Sequence, residues 1–180
     1  SLELGGKNTL VVLDDADLDL AASNAAFGAF FHQGQICMAT GRILAHRKIA
    51  AELTRRLVEK ATTLPVGDPA SGRVAIGPLI NARQLKNVDS IVRASVEAGA
   101  VLEAGGSYER LFYKPTVLSN VRPGMRAFDE EIFGPVAAIT PFDSDDEAVE
   151  LANRTEYGLS CAVIGTSLSR ATAIGDRLQC

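Results

Sequence analysis

The sequence predicts an α/β fold, a three-layer αβα sandwich around a mostly parallel sheet. Three observations point there. Apolar, β-prone runs alternate along the chain with segments whose apolar residues recur at helical spacing. Several of those runs are apolar throughout, as strands covered on both faces require. Finally, 180 residues with 47% hydrophobic content, no internal repeat, no low-complexity stretch and no clear linker suit one domain spanning residues 1–180.

Taken in order, Asn8 to Leu13 is a short apolar run and reads as a buried strand. Asp14, Asp15 and Asp17 supply caps and first-turn acids for a helix from Leu18 to Phe31. That helix carries alanine and phenylalanine on several faces and is expected to be well buried. Ile43 to His46 is the next strand. Ala50, Leu53, Leu57, Val58, Ala61 and Leu64 follow the helical period until Pro65 stops it. Val66 to Pro78, rich in Gly and Pro, reads as an irregular connection. Asn81 can cap a second long helix with Leu85, Val88, Ile91, Val92 and Val96 on one face, and Gly99 suits the left-handed position past its end. Ala100 to Glu103 is a strand candidate before a Gly105-Gly106 turn, and Thr116 to Val121 is extended. Val136 to Phe142 is apolar and β-prone. Ser144 and Glu147 form an S-x-x-E capping box for a helix reaching Asn153. Leu159 to Ile164 is a strand, and Ser167 caps a last helix.

Composition excludes several function classes. Formal net charge is −4 and the basic residues are scattered, which argues against a nucleic-acid surface or a polybasic membrane patch. No apolar run approaches the roughly 18 residues that span a bilayer. The opening SLELGGKN has neither the basic nor the apolar region of a signal peptide. It also lacks Met, and the last residues end within a helical pattern, so a piece of a longer protein is expected. Three cysteines, Cys37, Cys161 and Cys180, without framework spacing suit free thiols in a reducing, cytoplasmic setting. Two histidines and no Cys/His cluster leave no metal site to expect.

Chemistry centres on HQGQICMATGR, residues 32–42. Cys37 lies just past a Phe-rich helical segment, with Gly34 and Gly41 giving flexible backbone on both sides. A thiol so placed can face a cleft and attack an electrophilic carbonyl as thiolate. The competing reading is a buried cysteine acting as a small hydrophobe. Glu3, followed by Leu4, Gly5 and Gly6, is a candidate general base or a solvated acid, and Lys7 reads as a structural or surface lysine. Glu130 and Glu131 precede Ile132-Phe133-Gly134-Pro135, where paired acids can bind polyol hydroxyls such as ribose or simply form a polar turn. Phe133 can stack on a ring or pack in the core. His32, five residues before Cys37, raises a Cys–His hydrolase as an alternative. His46 shows nothing distinctive, and Tyr108, Tyr113 and Tyr157 read as packing. Neither G-x-G-x-x-G after a strand nor G-x-x-x-x-G-K-[ST] occurs, so the chain carries no nucleotide-phosphate loop of its own.

Four motifs in order, SLELGGKN, FHQGQICMATGR, YKPTVL and DEEIFGPV, resemble the catalytic domain of the NAD(P)-dependent aldehyde dehydrogenase superfamily, with Glu3 and Cys37 at that family's separation of 34 residues. The resemblance runs from Ser1 to Cys180. It implies that Cys37 is the nucleophile, Glu3 the base that activates water, Glu131 the acid on the nicotinamide ribose and Phe133 its apolar neighbour. Leu4 and Gly5 match backbone positions near the nicotinamide. His32 stands where many relatives have Asn, which weakens the hydrolase alternative. The implied cofactor is NAD or NADP, bound mainly by a domain outside this chain, as the oxyanion-hole asparagine and the oligomerisation segment also are. The implied chemistry is a thiohemiacetal on Cys37, hydride loss to NAD(P)+, and hydrolysis of the thioester with Glu3 as base. The Cys37 and Met125 regions look nearest to members acting on aromatic aldehydes such as benzaldehyde and vanillin. The expected partner is therefore a small aldehyde, with no nucleic acid or membrane, in a parent that is a homo-oligomer. The remaining alternative is a non-catalytic fragment.

Overall fold

The structure, a computed structural model, describes residues 1–180. Eight strands are formed: β1 (Asn8–Val12), β2 (Thr40–His46), β3 (Val101–Ala104), β4 (Tyr108–Glu109), β5 (Phe112–Tyr113), β6 (Thr116–Ser119), β7 (Val136–Phe142) and β8 (Cys161–Ile164). Six of them make one sheet in the order β3-β6-β7-β2-β1-β8, while β4 and β5 pair as a separate hairpin. Every neighbour in the large sheet is parallel except β3, which runs antiparallel to β6 at one edge.

The strand period of two sorts side chains to opposite faces. Leu10, Val12, Ile43, Ala45, Val117, Ala137 and Ile139 point into one core, which α1 (Leu18–Phe30) and α2 (Arg47–Thr63) cover. Val11, Leu13, Leu44, Leu118, Val136 and Ala138 point into the other. That core is closed by α3 (Ala82–Glu97), α4 (Arg126–Asp129), α5 (Asp145–Asn153) and α6 (Leu168–Gly175). The three-layer sandwich read from the sequence is thus the fold.

Several local expectations change. The helix expected to be buried on several faces, α1, buries only its alanine stripe (Ala21, Ala22, Ala25, Ala29) and Phe30, leaving Phe27 64% and Phe31 46% exposed. Alanine, with no side chain beyond Cβ, lets α1 pack close to the sheet and to α2, and the phenylalanines are left to face outward. His46 is not featureless: its Nδ1 accepts the Lys48 N–H at 3.2 Å and caps α2, which starts at Arg47. The capping box at α5 is displaced by one residue. Ser144 accepts from Glu147 N, but the Glu147 carboxylate takes the Asp143 N–H instead of that of Ser144. Residues 66–78 are irregular as expected, apart from a single bridge between Val66 and Ile76 and a short 3-10 turn at Pro69–Ser71.

Candidate active site

In a parallel sheet, the segments leading into neighbouring strands meet along one edge. Here Gly5-Gly6 lead into β1, Ile36 to Ala39 into β2, and Glu131 to Pro135 into β7. Three of the motifs singled out in the sequence therefore converge at the amino-terminal edge of the sheet.

Cys37 sits in the turn Ile36–Ala39, which the Ala39 N–H closes onto Ile36 O at 2.9 Å. Its side chain belongs to an exposed residue, and its thiol is free. The Cys37 N–H has no acceptor within the chain. An exposed thiol beside an unengaged backbone donor is the arrangement needed to attack a carbonyl and then hold the oxygen that becomes negative. The buried-hydrophobe reading does not describe Cys37; Cys161 is half-buried, and there burial and contact with Cys180 push the thiol up to about 12.

The glycines around Cys37 act by tight packing, not by flexibility. Gly34 is buried with φ +64°, and a Cβ there would lie 2.1 Å from Gly134 O. This locks the approach to Cys37 against the segment before β7. His32 and Gln33 share the left-handed region with Gly34, at φ 51° and 58°. A run of three such residues costs about 1–2 kcal/mol for each non-glycine member. The Gln33 amide offsets part of that cost by bridging His32 O and Gly77 N, each at 3.0 Å. The His32 ring rests on Phe31 with centroids 4.3 Å apart, and no hydrogen bond joins it to Cys37. The hydrolase pairing thus has no geometric basis.

Gly6 passes directly against the Cys37 turn: a Cβ on it would come within 2.5 Å of Cys37 O. Glu3 is three residues upstream, at most about 10 Å of chain away. It is exposed, and its carboxylate makes no hydrogen bond in the chain, so both oxygens are open to water. Leu4 is 76% exposed beside it. Glu131 is half-buried across from Gly6. Its Oε1 accepts the Gly6 N–H at 2.9 Å, and its Oε2 lies 2.8 Å from where a Cβ on Gly5 (φ +70°) would be. The double glycine is thus a cradle for this carboxylate, which leaves Oε2 open as an acceptor. Phe133, in the left-handed region at φ 53°, exposes part of its ring on the same edge. Glu130 does something else: it forms a two-point ion pair with Arg126 and is held below its ordinary range by it.

Residues that sequence reasoning missed lie underneath. Asn8 Nδ2 donates to both Cys37 O and Ala39 O, at 2.8 Å each. Lys7 is buried, and its Nζ donates to Ala127 O at 2.9 Å. Burial, then the nearby Arg42 cation, lowers its amine to about 7. Arg42 is fully buried over the Phe128 ring and donates to Leu151 O, Ala152 O and Arg154 O, closing the carbonyl end of α5. A cavity of about 380 Å³ opens beside the Cys37 turn, walled by Phe27, Phe31, Ile36 and Met38. Phe27 and Phe31 stack at 4.7 Å along one wall. The sequence signal for this wall was present in the i, i+4 spacing of the two phenylalanines, but it read as core.

The model of the aldehyde dehydrogenase family matches residues 1–180. The chain is 51% identical over 177 residues to vanillin dehydrogenase of an Amycolatopsis species, covering 98% of this chain and 36% of that protein. It is 49% identical over 179 residues to the NAD(+) benzaldehyde dehydrogenase of Pseudomonas putida, covering 99% and 37% respectively. Its fold superposes on the crystal structure of a salicylaldehyde dehydrogenase from Pseudomonas putida G7, solved with salicylaldehyde, with a TM-score of 0.95 at 40% identity, covering 98% of this chain and 37% of that one. The chain spans little more than a third of the length of these relatives. By the match along all 180 residues, it belongs to the aldehyde dehydrogenase family.

Proposed function

We propose that this chain is the thiol-bearing part of a longer NAD(P)-dependent dehydrogenase that oxidises an aromatic aldehyde to its carboxylic acid. The observation that carries this reading is the Cys37 turn, with its exposed thiol, its unengaged N–H and a free glutamate on the adjoining strand lead.

Cys37 sulfur bonds to the aldehyde carbon, and the carbonyl electrons move to oxygen, where the Cys37 N–H can donate to it. A nicotinamide dinucleotide, when bound, supplies the hydride acceptor that leaves a thioester on sulfur. Glu131 fits its ribose, because one carboxylate oxygen is fixed by Gly6 while the other is open to a hydroxyl. Glu3 takes a proton from water as that water attacks the thioester carbon. The C–S bond then breaks, the acid leaves and thiolate returns. The stacked Phe27 and Phe31, with Ile36 and Met38 on either side of the nucleophile in sequence, give an apolar, flat-walled space suited to an aryl ring. The three relatives named for vanillin, benzaldehyde and salicylaldehyde support the same substrate class.

The test separates the nucleophile from the base that activates water. In the full-length protein, Cys37→Ala should abolish NADH formation from benzaldehyde. Glu3→Gln should keep a first-turnover burst of NADH and lose about 10²–10⁴-fold in steady-state turnover, the range for removing a general base. A Cys37→Ala enzyme that still oxidises the aldehyde would sink the proposal.

A further inference from the structure

We infer that Asn8 is a positioning residue for the nucleophile: its side-chain amide clamps the Cys37 turn from beneath and fixes where the thiol and the Cys37 N–H point. The inference rests on the assignment of Cys37 as nucleophile.

Asn8 is the first residue of β1 and is buried, 6% exposed. Both hydrogens of its Nδ2 are used, one on Cys37 O and one on Ala39 O, at 2.8 Å each. Those carbonyls straddle the turn that the Ala39 N–H closes onto Ile36 O. Its Oδ1 accepts the Ser160 N–H at 3.1 Å, tying the turn to the lead of β8. One side chain thus joins three segments distant in sequence and satisfies two carbonyls at once.

The consequence for chemistry follows from backbone geometry. With the Cys37 and Ala39 carbonyls both directed inward to one amide, the turn cannot rotate about its central peptides. Gly6, pressed against the same Cys37 carbonyl, blocks movement from the other side. The Cys37 N–H consequently stays unengaged and outward, next to its own thiol. No other side chain donates to the Cys37 carbonyl.

In the full-length enzyme, Asn8→Ala should lower the rate of the first-turnover NADH burst by about 10- to 100-fold, the scale of a misplacement near 1 Å. The KM for NAD+ should stay within about twofold, because the bond that anchors Glu131 comes from the Gly6 backbone N–H and not from the Asn8 side chain. Asn8→Asp gives the sharper reading. It keeps the shape and the acceptor toward Ser160, but it turns oxygen toward the two carbonyls, so it should lose at least as much as alanine. If Asn8 served only to join the turn to β8, Asn8→Asp would burst at the wild-type rate, and the inference would be wrong. If Asn8→Ala does not fold, Asn8→Ser replaces it, and a burst within twofold of wild type in either variant also overturns the inference. Cys37→Ala run beside them separates the two claims. An active Cys37→Ala removes the nucleophile assignment itself, while an inactive Cys37→Ala with a fast Asn8→Asp removes only the role of Asn8.

Discussion

Lys7 places an amine in the dry layer beneath the site, and its position sets a dependence on pH that can be measured. Its nearest acceptor is Ala127 O, and Ser95 Oγ takes the N–H of that same residue, so together they pin the start of the segment that carries Glu131. An ammonium without water is disfavoured, and Arg42 nearby adds to the cost, so the folded amine titrates at about 7 against an ordinary 10.5. Between those values the unfolded chain binds a proton that the folded chain does not. Stability therefore rises with pH from about 7 to 10.5, and the full penalty applies below 7. Lys7→Met removes that penalty but leaves Ala127 O unpaired, a loss of about 1–3 kcal/mol. The variant is expected to be more stable than wild type at pH 6 and equal or less stable at pH 10, measured by urea unfolding at both. A stability difference that does not change with pH would show that the buried amine is not the source.

At the scale of elements, α1 links a conventional cap to the unusual loop that bears Cys37, the proposed nucleophile. Asp17 accepts from Asp19 N and Leu20 N at 2.9 and 3.1 Å, meeting the helix dipole with a carboxylate. Asp17→Ala should cost about 1 kcal/mol of stability, seen as a lower urea midpoint, with the Cys37 alkylation rate unchanged because the cap lies at the far end of the helix. Caps of this kind were legible, since Asp17, Asn81, Ser144 and Ser167 all act through residues two or three positions away. What could not be read has a common cause. The strands β4 and β5 are two residues each and α4 is four, too short for either period to show. The left-handed run at His32 and Gln33 has no glycine signal. Asn8 looks like an ordinary strand start until the chain has folded, because its partners are 29 and 31 residues away. Similarly, nothing local shows that the sheet and α4 close over Lys7. The candidate site residues singled out in the sequence, Cys37, Glu3 and Glu131, came from motifs in register; the structure adds the contacts between those motifs.

For the whole molecule, the site lies on the less usual edge of the sheet. Open α/β sheets commonly bind ligands outside the carboxyl ends of their strands, where helix N-termini gather. Here that edge is filled by the protein's own acids. Asp14 and Asp145 pair with Arg170, and Asp143 pairs with Arg47. Asp15 accepts the Ser167 N–H at the start of α6. Each helix N-terminus there already has an anionic or polar side-chain partner, so a phosphate would meet carboxylates rather than free N–H groups. The opposite edge offers the Cys37 turn, the open oxygen of Glu131 and exposed apolar groups at Leu4, Phe27, Phe31 and Met38, but no phosphate-binding loop. With Glu131 as its only anchored acceptor for a ribose, the 180-residue chain by itself should hold NAD+ too weakly to turn over. Its thiol remains accessible all the same. Purified alone, the chain is expected to be alkylated at Cys37 by iodoacetamide and to produce no NADH from benzaldehyde and NAD+. NADH formed at a rate near that of the full-length enzyme would place the whole dinucleotide site on this one sheet edge and overturn the proposed division of labour between this chain and the rest of a longer protein.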